Sequence, residues 1–245
     1  MRKIFFILLL FIPSLFSQQK TADEILKKVD ENMVMDEAIT ETKMIIHGRT
    51  RSRTITAKSW IQGEEKALVE YLSPPREQGK KMLKTKDKIW IYTPEPTDRI
   101  ITISGHLLRQ SVMGSDLSYE DITDNSSLIE NYDATLLDDE TIMDRDCWVM
   151  KLIAKSEDIA YYKRKIWIDK ERYLPLREER YAKGGKLLKT TKITDAFQQN
   201  GQWVPKHMLF KDELSKGKGT EYIIDSIDFD VDIPDHYFTK AGLKR

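Results

Sequence analysis

The sequence predicts a mainly β protein: a strongly curved antiparallel sheet around an apolar interior, with one long helix and one or two short ones. Three observations carry that reading. Runs of period-two alternation follow one another through short turns, with no crossover helices between them. Several of these runs are apolar on both faces, including Ile89-Trp90-Ile91-Tyr92 and Trp148 to Ile153, whereas a sheet wet on one side alternates cleanly. The stretch Lys88 to Asp116 joins two apolar runs through a proline turn, then breaks the β pattern with a short greasy segment, Gly105 to Gly114. With so few helices to supply cover, the sheet must roll around its interior, and something must lie across its open side.

Composition sets the outer bounds. The chain has 245 residues, enough for one substantial domain. Its 40 basic and 40 acidic residues balance to zero, so no basic face is expected for a nucleic acid. A charged fraction of 33% describes a wet surface rather than a set of membrane spans. Residues 1–17 stand apart. Arg2 and Lys3 precede the apolar run Ile4 to Phe16, which is too short to cross a ~30 Å bilayer core and fits a secretory signal peptide ending at Ser17. Residues 18–245 are then expected as a single domain in the periplasm, free of an N-terminal lipid anchor because no cysteine follows the apolar run. The lone Cys147 has no disulfide partner and reads as a small buried hydrophobe.

Taken in order, Thr21 and Glu24 form a capping box, and Ile25, Leu26, Val29 and Met33 share one face of a helix over residues 22–35, with Lys27, Lys28, Asp30 and Glu31 towards water. Alternation then predicts strands over 39–49 and 53–62 around a Gly48–Ser52 connection, followed by one over 66–72. Residues 79–83 and 88–93 form a further hairpin. The lysines at 80, 81, 84, 86 and 88 read as a solvated edge guarded against strand addition. After Gly114, strands are predicted over 131–137, 147–154, 161–169, 176–182, 187–197, 203–211 and 221–231, with Phe238 docking the tail. The expected total is ten or eleven.

The chemistry-bearing motifs are absent from the sequence. His47, His106, His207 and His236 lack zinc-ligand spacing, and there is no nucleophile elbow, phosphate loop or dinucleotide fingerprint. Asp225, Asp228, Asp230 and Asp232 lack the glycine and terminal glutamate of a calcium loop and read as a solvated strand face. No catalytic residue, metal or cofactor is expected. Leu107, Leu108, Val112 and Met113 make a small apolar surface bounded by glycines, which serves either as an ordinary core cover or as a movable one.

A set of ordered motifs resembles a known family. Lys88-Ile-Trp-Ile-Tyr-Thr-Pro is similar to a strand of the LolA carriers. Tyr71-Leu-Ser-Pro-Pro-Arg, Gly79-Lys-Lys-Met-Leu, Arg99 to Ser104, Met113-Gly-Ser-Asp116 and Tyr119-Glu-Asp121 match the wider LolA-like lipoprotein-sorting group. Leu174-Pro175-Leu176, Gly201-Gln-Trp-Val-Pro205 and the ending Ile233-Pro-Asp to Phe238 and Leu243 extend the match over nearly the whole mature chain. The resemblance implies an incomplete antiparallel β-barrel closed by a long N-terminal helix and short lid helices around a hydrophobic cavity. It implies a non-enzymatic, monomeric carrier of lipoprotein acyl chains or phospholipid, loaded by an inner-membrane transporter and unloaded at an outer-membrane acceptor. A lipid-sensing module acting on a membrane protein is the alternative. The implied cavity and lid residues are Trp90, Tyr92, Leu107, Leu108, Val112, Met113, Trp148 and Met150. Arg49, Arg51 and Arg53 are candidates for the arginine that latches the lid. Alternation leaves open whether the face of Trp90 or that of Ile91 lines the cavity.

Overall fold

The computed structural model describes residues 20–33, 37–86, 88–123, 127–199, 201–229 and 231–244. The expected signal peptide, the last two residues of the expected first helix, and Asp230 lie outside the described residues. Helix α1 (Ala22–Met33) starts at the predicted capping box: the Thr21 amide donates to Glu24 Oε2 at 2.8 Å and the Glu24 amide to Thr21 Oγ1 at 3.2 Å. Ile25, Leu26 and Val29 are buried as expected, but Met33 is 49% exposed. Asp30, expected to face water, turns inward and accepts hydrogen bonds from Ser127, Leu128 and Ile129.

A meander of six strands follows: β1 (Glu37–His47), β2 (Ser52–Gln62), β3 (Lys66–Ser73), β4 (Lys81–Thr85), β5 (Lys88–Thr93) and β6 (Arg99–Ile103). Residues 104–131 leave the sheet and contain two short helices, α2 (Tyr119–Thr123) and α3 (Leu128–Asn131). The chain then adds β7 (Tyr132–Leu136), β8 (Glu140–Ile142), β9 (Arg145–Ala154), β10 (Lys163–Asp169), β11 (Pro175–Tyr181), β12 (Leu187–Gln199), β13 (Gln202–Asp212) and β14 (Gly219–Phe229). Among the described residues there are fourteen strands rather than ten or eleven. The three-residue β8 is too short to show a period.

All fourteen belong to one antiparallel sheet of order β6-β5-β4-β3-β2-β1-β14-β13-β12-β11-β10-β9-β7, with β8 also on β9. The two halves of the chain join where β1 pairs with β14, and β6 and β7 are left as unpaired edges, so the barrel is incomplete. β4 and β10 lie eight strands apart in this order, roughly 38 Å along a flat sheet at ~4.8 Å per strand. Yet Lys84 of β4 and Ile166 of β10 line the same cavity of about 420 Å³. The sheet is therefore rolled, and its inner face closes on itself.

The doubly apolar strands are covered on both sides, as their composition requires. On the inner face of β1–β6, Met44, Ile55, Met82, Ile91 and Ile103 pack under residues 107–122. On the outer face, Leu68 and Leu83 pack under Ile233, Phe238 and Leu243 of the tail. Inside the other half, α1 lies on Met150, Leu152, Ile166 and Ile168.

The tail is thus part of the core. Leu243 is fully buried, and Leu243→Ala should cost about 2–5 kcal/mol in denaturant unfolding. Leu214→Ala, at a side chain 57% exposed, should stay within ~0.5 kcal/mol of wild type.

Candidate functional site

The inner face is a concave surface covered by several separate elements, and strand register identifies its residues. Ile55, Ala57, Ser59 and Ile61 of β2 oppose Met44, Thr42, Thr40 and Ala38 of β1. Tyr71, Val69 and Ala67 of β3 continue the row, then Met82 and Lys84 of β4, and Ile91 and Ile89 of β5. This is a mainly apolar floor with the small hydroxyls of Thr40, Thr42 and Ser59 and one buried cation, Lys84, which is only 3% exposed. Lys84 is therefore not part of the solvated lysine edge expected from sequence. β4 is a central strand, and period two sets Lys84 on the same face as Met82. Its Nζ donates to the Glu64 carbonyl at 3.0 Å.

Residues 105–123 form a lid over this floor. The segment 105–114, expected as a small helix, is instead two 3-10 turns, Gly105–Arg109 and Val112–Gly114. Met113, inside the second turn, adopts a left-handed conformation at φ 51°. Val112 is buried, and Leu107, Leu108, Met113 and Ile122 are half-buried against the floor. The lid folds on itself through Val112 N to Leu117 O at 2.8 Å and Tyr119 N to Gln110 O at 3.1 Å.

Two aspartates fasten the C-terminal end of the lid to the sheet. Asp116 accepts from Thr220 Oγ1 at 2.7 Å and from the Asp212 amide at 2.9 Å. Asp121, with a side chain 2% exposed, accepts from Tyr161 Oη at 2.6 Å, Arg180 Nη1 at 2.9 Å, Ser118 N at 2.7 Å and Lys189 Nζ. Burial alone would raise its pKa. The charges of Arg180 and Lys189, with the hydrogen bonds, override burial and hold the carboxyl down at about 2.

The ionic chain continues inward. Arg180 Nη2 donates to Glu178 Oε2 at 2.8 Å, and Arg164 Nη1 to Glu178 Oε1 at 3.2 Å. Arg164 Nε donates to Tyr132 Oη at 2.8 Å, and Tyr132 Oη donates to the Tyr161 carbonyl at 3.0 Å. Burial opposes ionisation of Glu178, but its two arginines hold its pKa below the usual carboxylate range. Two cavities flank this chain. One, of about 600 Å³, lies between the lid and the β11–β12 and β13–β14 turns; the other, of about 420 Å³, lies beside α1.

The sequence-predicted residues divide between places. Leu107, Leu108, Val112 and Met113 come together on the floor. Trp148 and Met150 lie on the inner face of the other half, with Met150 buried among the α1 contacts and Trp148 against Tyr173 at 5.4 Å. Trp90 and Tyr92 lie on the outer face, against the cluster of Leu83, Phe238 and Leu243. The inner face of β5 is that of Ile89 and Ile91. Of the three arginines, Arg49 and Arg51 are exposed in the β1–β2 connection, while Arg53 reaches the lid. A Cβ built at Gly114 would stand 2.8 Å from Arg53 Nη2, the movable end of a flexible side chain, so it is the φ of +67° that favours glycine there.

Sequence reasoning missed Arg164, Glu178, Arg180 and Lys189 altogether. Their signal was present: Glu178 and Arg180 alternate on one face of the strand Pro175–Tyr181. Among the described residues no group of three or more metal-ligating side chains converges. Cys147 is buried, and burial pushes its thiol up to about 11, consistent with a packing role.

Comparisons with known proteins place this geometry. A family model described as an uncharacterized-protein-like family matches residues 63–245. No curated protein matches the chain. Among solved structures, a DUF1329 family protein from Desulfovibrio piger has a TM-score of 0.82 at 23% identity, covering 91% of this chain and 97% of its own. A domain from Vibrio parahaemolyticus named for outer membrane lipoprotein sorting has a TM-score of 0.80 at 27% identity, covering 91% and 98%. A LolA superfamily protein from Nitrosomonas europaea has a TM-score of 0.74 at 24% identity, covering 91% and 100%.

The depressed pKa of Asp121 has a definite sign. It strengthens lid attachment by roughly 2 kcal/mol above pH ~4, and that contribution is lost as pH falls through about 2. Protection of the amides in residues 107–122, relative to their intrinsic exchange rate at each pH, should therefore stay high at pH 4 and fall towards pH 2. Asp121→Asn should lower that protection at pH 7, with a loss of about 3–5 kcal/mol in local stability.

Proposed function

The chain belongs to the uncharacterized-protein-like family whose model matches residues 63–245, and from the fold it shares with the lipoprotein-sorting domain and the LolA superfamily protein we propose that it is a LolA-like, non-enzymatic periplasmic carrier. In this reading it takes up the acyl chain of a lipoprotein or phospholipid between lid and inner floor and carries it towards the outer membrane. One observation carries the reading: the lid's apolar side chains occupy the floor of a rolled sheet that would otherwise be an open greasy trough.

Magnitudes support exchange between lid and cargo. Val112 buried and Leu107, Leu108 and Met113 half-buried give the closed lid roughly 4–7 kcal/mol of apolar stabilisation. A sixteen-carbon acyl chain carries roughly 12 kcal/mol at ~0.8 kcal/mol per methylene, less whatever part stays outside. The two are of one order, so the chain can displace the lid and the lid can later displace the chain. The attachments at Asp116 and Asp121 leave residues 105–112 as the part that moves, hinged at the left-handed Gly105 at one end and Met113 and Gly114 at the other. The apolar run of residues 4–16 supports export, and a periplasmic carrier would be handed its cargo by an inner-membrane partner.

A fluorescent fatty-acid probe tests this. Wild type should bind it one to one, and Leu108→Asp, on the lid, should weaken binding by about tenfold or more while leaving the thermal midpoint nearly unchanged. Ile100→Asp, at a half-buried position on the outer face, should bind as wild type does. Equal effects of the two substitutions, or a wild-type protein that takes up no probe and purifies without lipid, would sink the proposal.

A further inference from the structure

Two adjacent turns beside the lid carry five exposed, unpaired cations and an exposed leucine, and from them we infer that this end of the barrel docks on an anionic membrane surface. Acidic phospholipid headgroups meet the cations, and Leu214 enters the boundary between headgroups and acyl chains. The inference goes beyond the carrier reading and does not need it, because it concerns the outside of the barrel rather than its cargo.

Sheet order brings the turns together. β1 pairs with both β2 and β14, so the β1–β2 and β13–β14 connections emerge side by side at one end of the barrel. The Lys218 amide donates to the His47 carbonyl at 2.7 Å, and the Gly48 amide to the Arg51 carbonyl at 3.0 Å. Residues 47–54 contain Arg49, Arg51 and Arg53 and no acidic residue. Residues 211–219 contain Lys211, Lys216 and Lys218 against Asp212 and Glu213. Two further carboxylates reach these turns: Asp116, 3.9 Å from Lys211, and Glu221, held between His47 and His207. All four carboxylates are engaged locally: Asp116 by Thr220, Asp212 by the Leu214 amide, Glu213 by Thr190 and Glu221 by the histidines. The side chains of Arg49, Arg51, Arg53, Lys216 and Lys218 are exposed and make no ion pair or hydrogen bond among the described residues. The next turns in the row do not cancel the excess. β3–β4 adds Arg76 and Lys80 around Glu77, and β11–β12 adds Lys186 beside the pair of Lys183 with Glu157. The chain as a whole balances 40 basic against 40 acidic residues, so the excess is local and orients the molecule in the field of a charged surface.

A membrane fits this surface better than an acidic protein does. The five side chains are long, solvated and spread over two turns, which suits the diffuse charge of headgroups rather than a single carboxylate. Leu214, 57% exposed in the β13–β14 turn, gains an apolar environment at a bilayer interface. The position also serves the lid. Leu214 lines the cavity of about 600 Å³ together with Arg109, Ser111 and Leu117 of the lid, and the Asp212 amide two residues away holds Asp116. A molecule docked by these turns therefore presents its lid to the bilayer.

Co-sedimentation with unilamellar vesicles tests this, with no probe in the cavity. Wild type should bind phosphatidylcholine vesicles containing roughly a third phosphatidylglycerol about a hundredfold more tightly than pure phosphatidylcholine, and about half-molar salt should abolish the difference. Combining Arg49→Gln, Arg51→Gln, Lys216→Gln and Lys218→Gln should remove most of that preference. Leu214→Asn should weaken binding to the acidic vesicles by about fivefold and leave its salt dependence unchanged. Lys27→Gln with Lys28→Gln, at exposed positions on α1, should bind as wild type does. Equal affinity for the two vesicles, or a preference that survives in the fourfold variant, would overturn the inference and leave the carrier reading standing. An equal loss in the α1 variant would reduce the effect to net charge and also overturn it. Tight binding to polyglutamate with none to acidic vesicles would give the turns to an acidic protein, again overturning it. Vesicle binding as expected in a protein that takes up no fatty-acid probe would sink the carrier reading alone. Should the fourfold variant not fold, the wild-type vesicle pair and its salt series decide.

Discussion

A sheet whose strands are apolar on both faces has to be covered twice, and this chain has little helix with which to do it. That constraint accounts for most of the architecture. The sheet rolls until its inner faces meet, α1 fills one half of the interior, and residues 105–123 fill the other. The outer face of the first six strands is covered by the last dozen residues of the chain, through Ile233, Phe238 and Leu243. Among the described residues, the two unpaired edges, β6 and β7, follow from rolling without closing.

The covers differ in how they are held. α1 is buried through Ile25, Leu26 and Val29 against side chains that are themselves fully enclosed. The lid is mixed: apolar over the floor at its beginning, ionic at its end. Hydrophobic contact is non-directional and can be exchanged for another apolar partner. A carboxylate among two cations, a tyrosine and a serine has a fixed address. The lid therefore combines a replaceable half with an anchored half, the division a cover needs if it is to open without detaching.

The sequence made the strands, the capping box and the position of the lid legible, because period and turn chemistry are local. It could not say which face of β5 points inward. Alternation sorts Trp90 and Tyr92 from Ile89 and Ile91, but only tertiary cover decides that the aromatic pair meets the tail and the isoleucines meet the lid. Lys84 was hidden among four other lysines whose surface role was a fair reading of composition. Its burial follows from β4 lying between β3 and β5, a matter of sheet order. The ionic chain escaped for a similar reason. Asp121 and Arg180 are 59 residues apart and meet only because the lid returns across the rolled sheet. The motifs Met113-Gly-Ser-Asp and Tyr119-Glu-Asp were visible, while their role as lid fasteners needed the geometry of Asp116 and Asp121.

The pairing of β1 with β14 sets the order of events during folding. Met44 lies opposite Tyr222, roughly 180 residues away along the chain. Loop closure over such a separation is slow and must precede the contacts that reward it. Until β14 has been synthesised, the first six strands keep β1 as a bare edge and lack the tail that covers their outer side. A nascent chain of this topology can pair its first six strands locally, but it cannot join its two halves until β14 has been made.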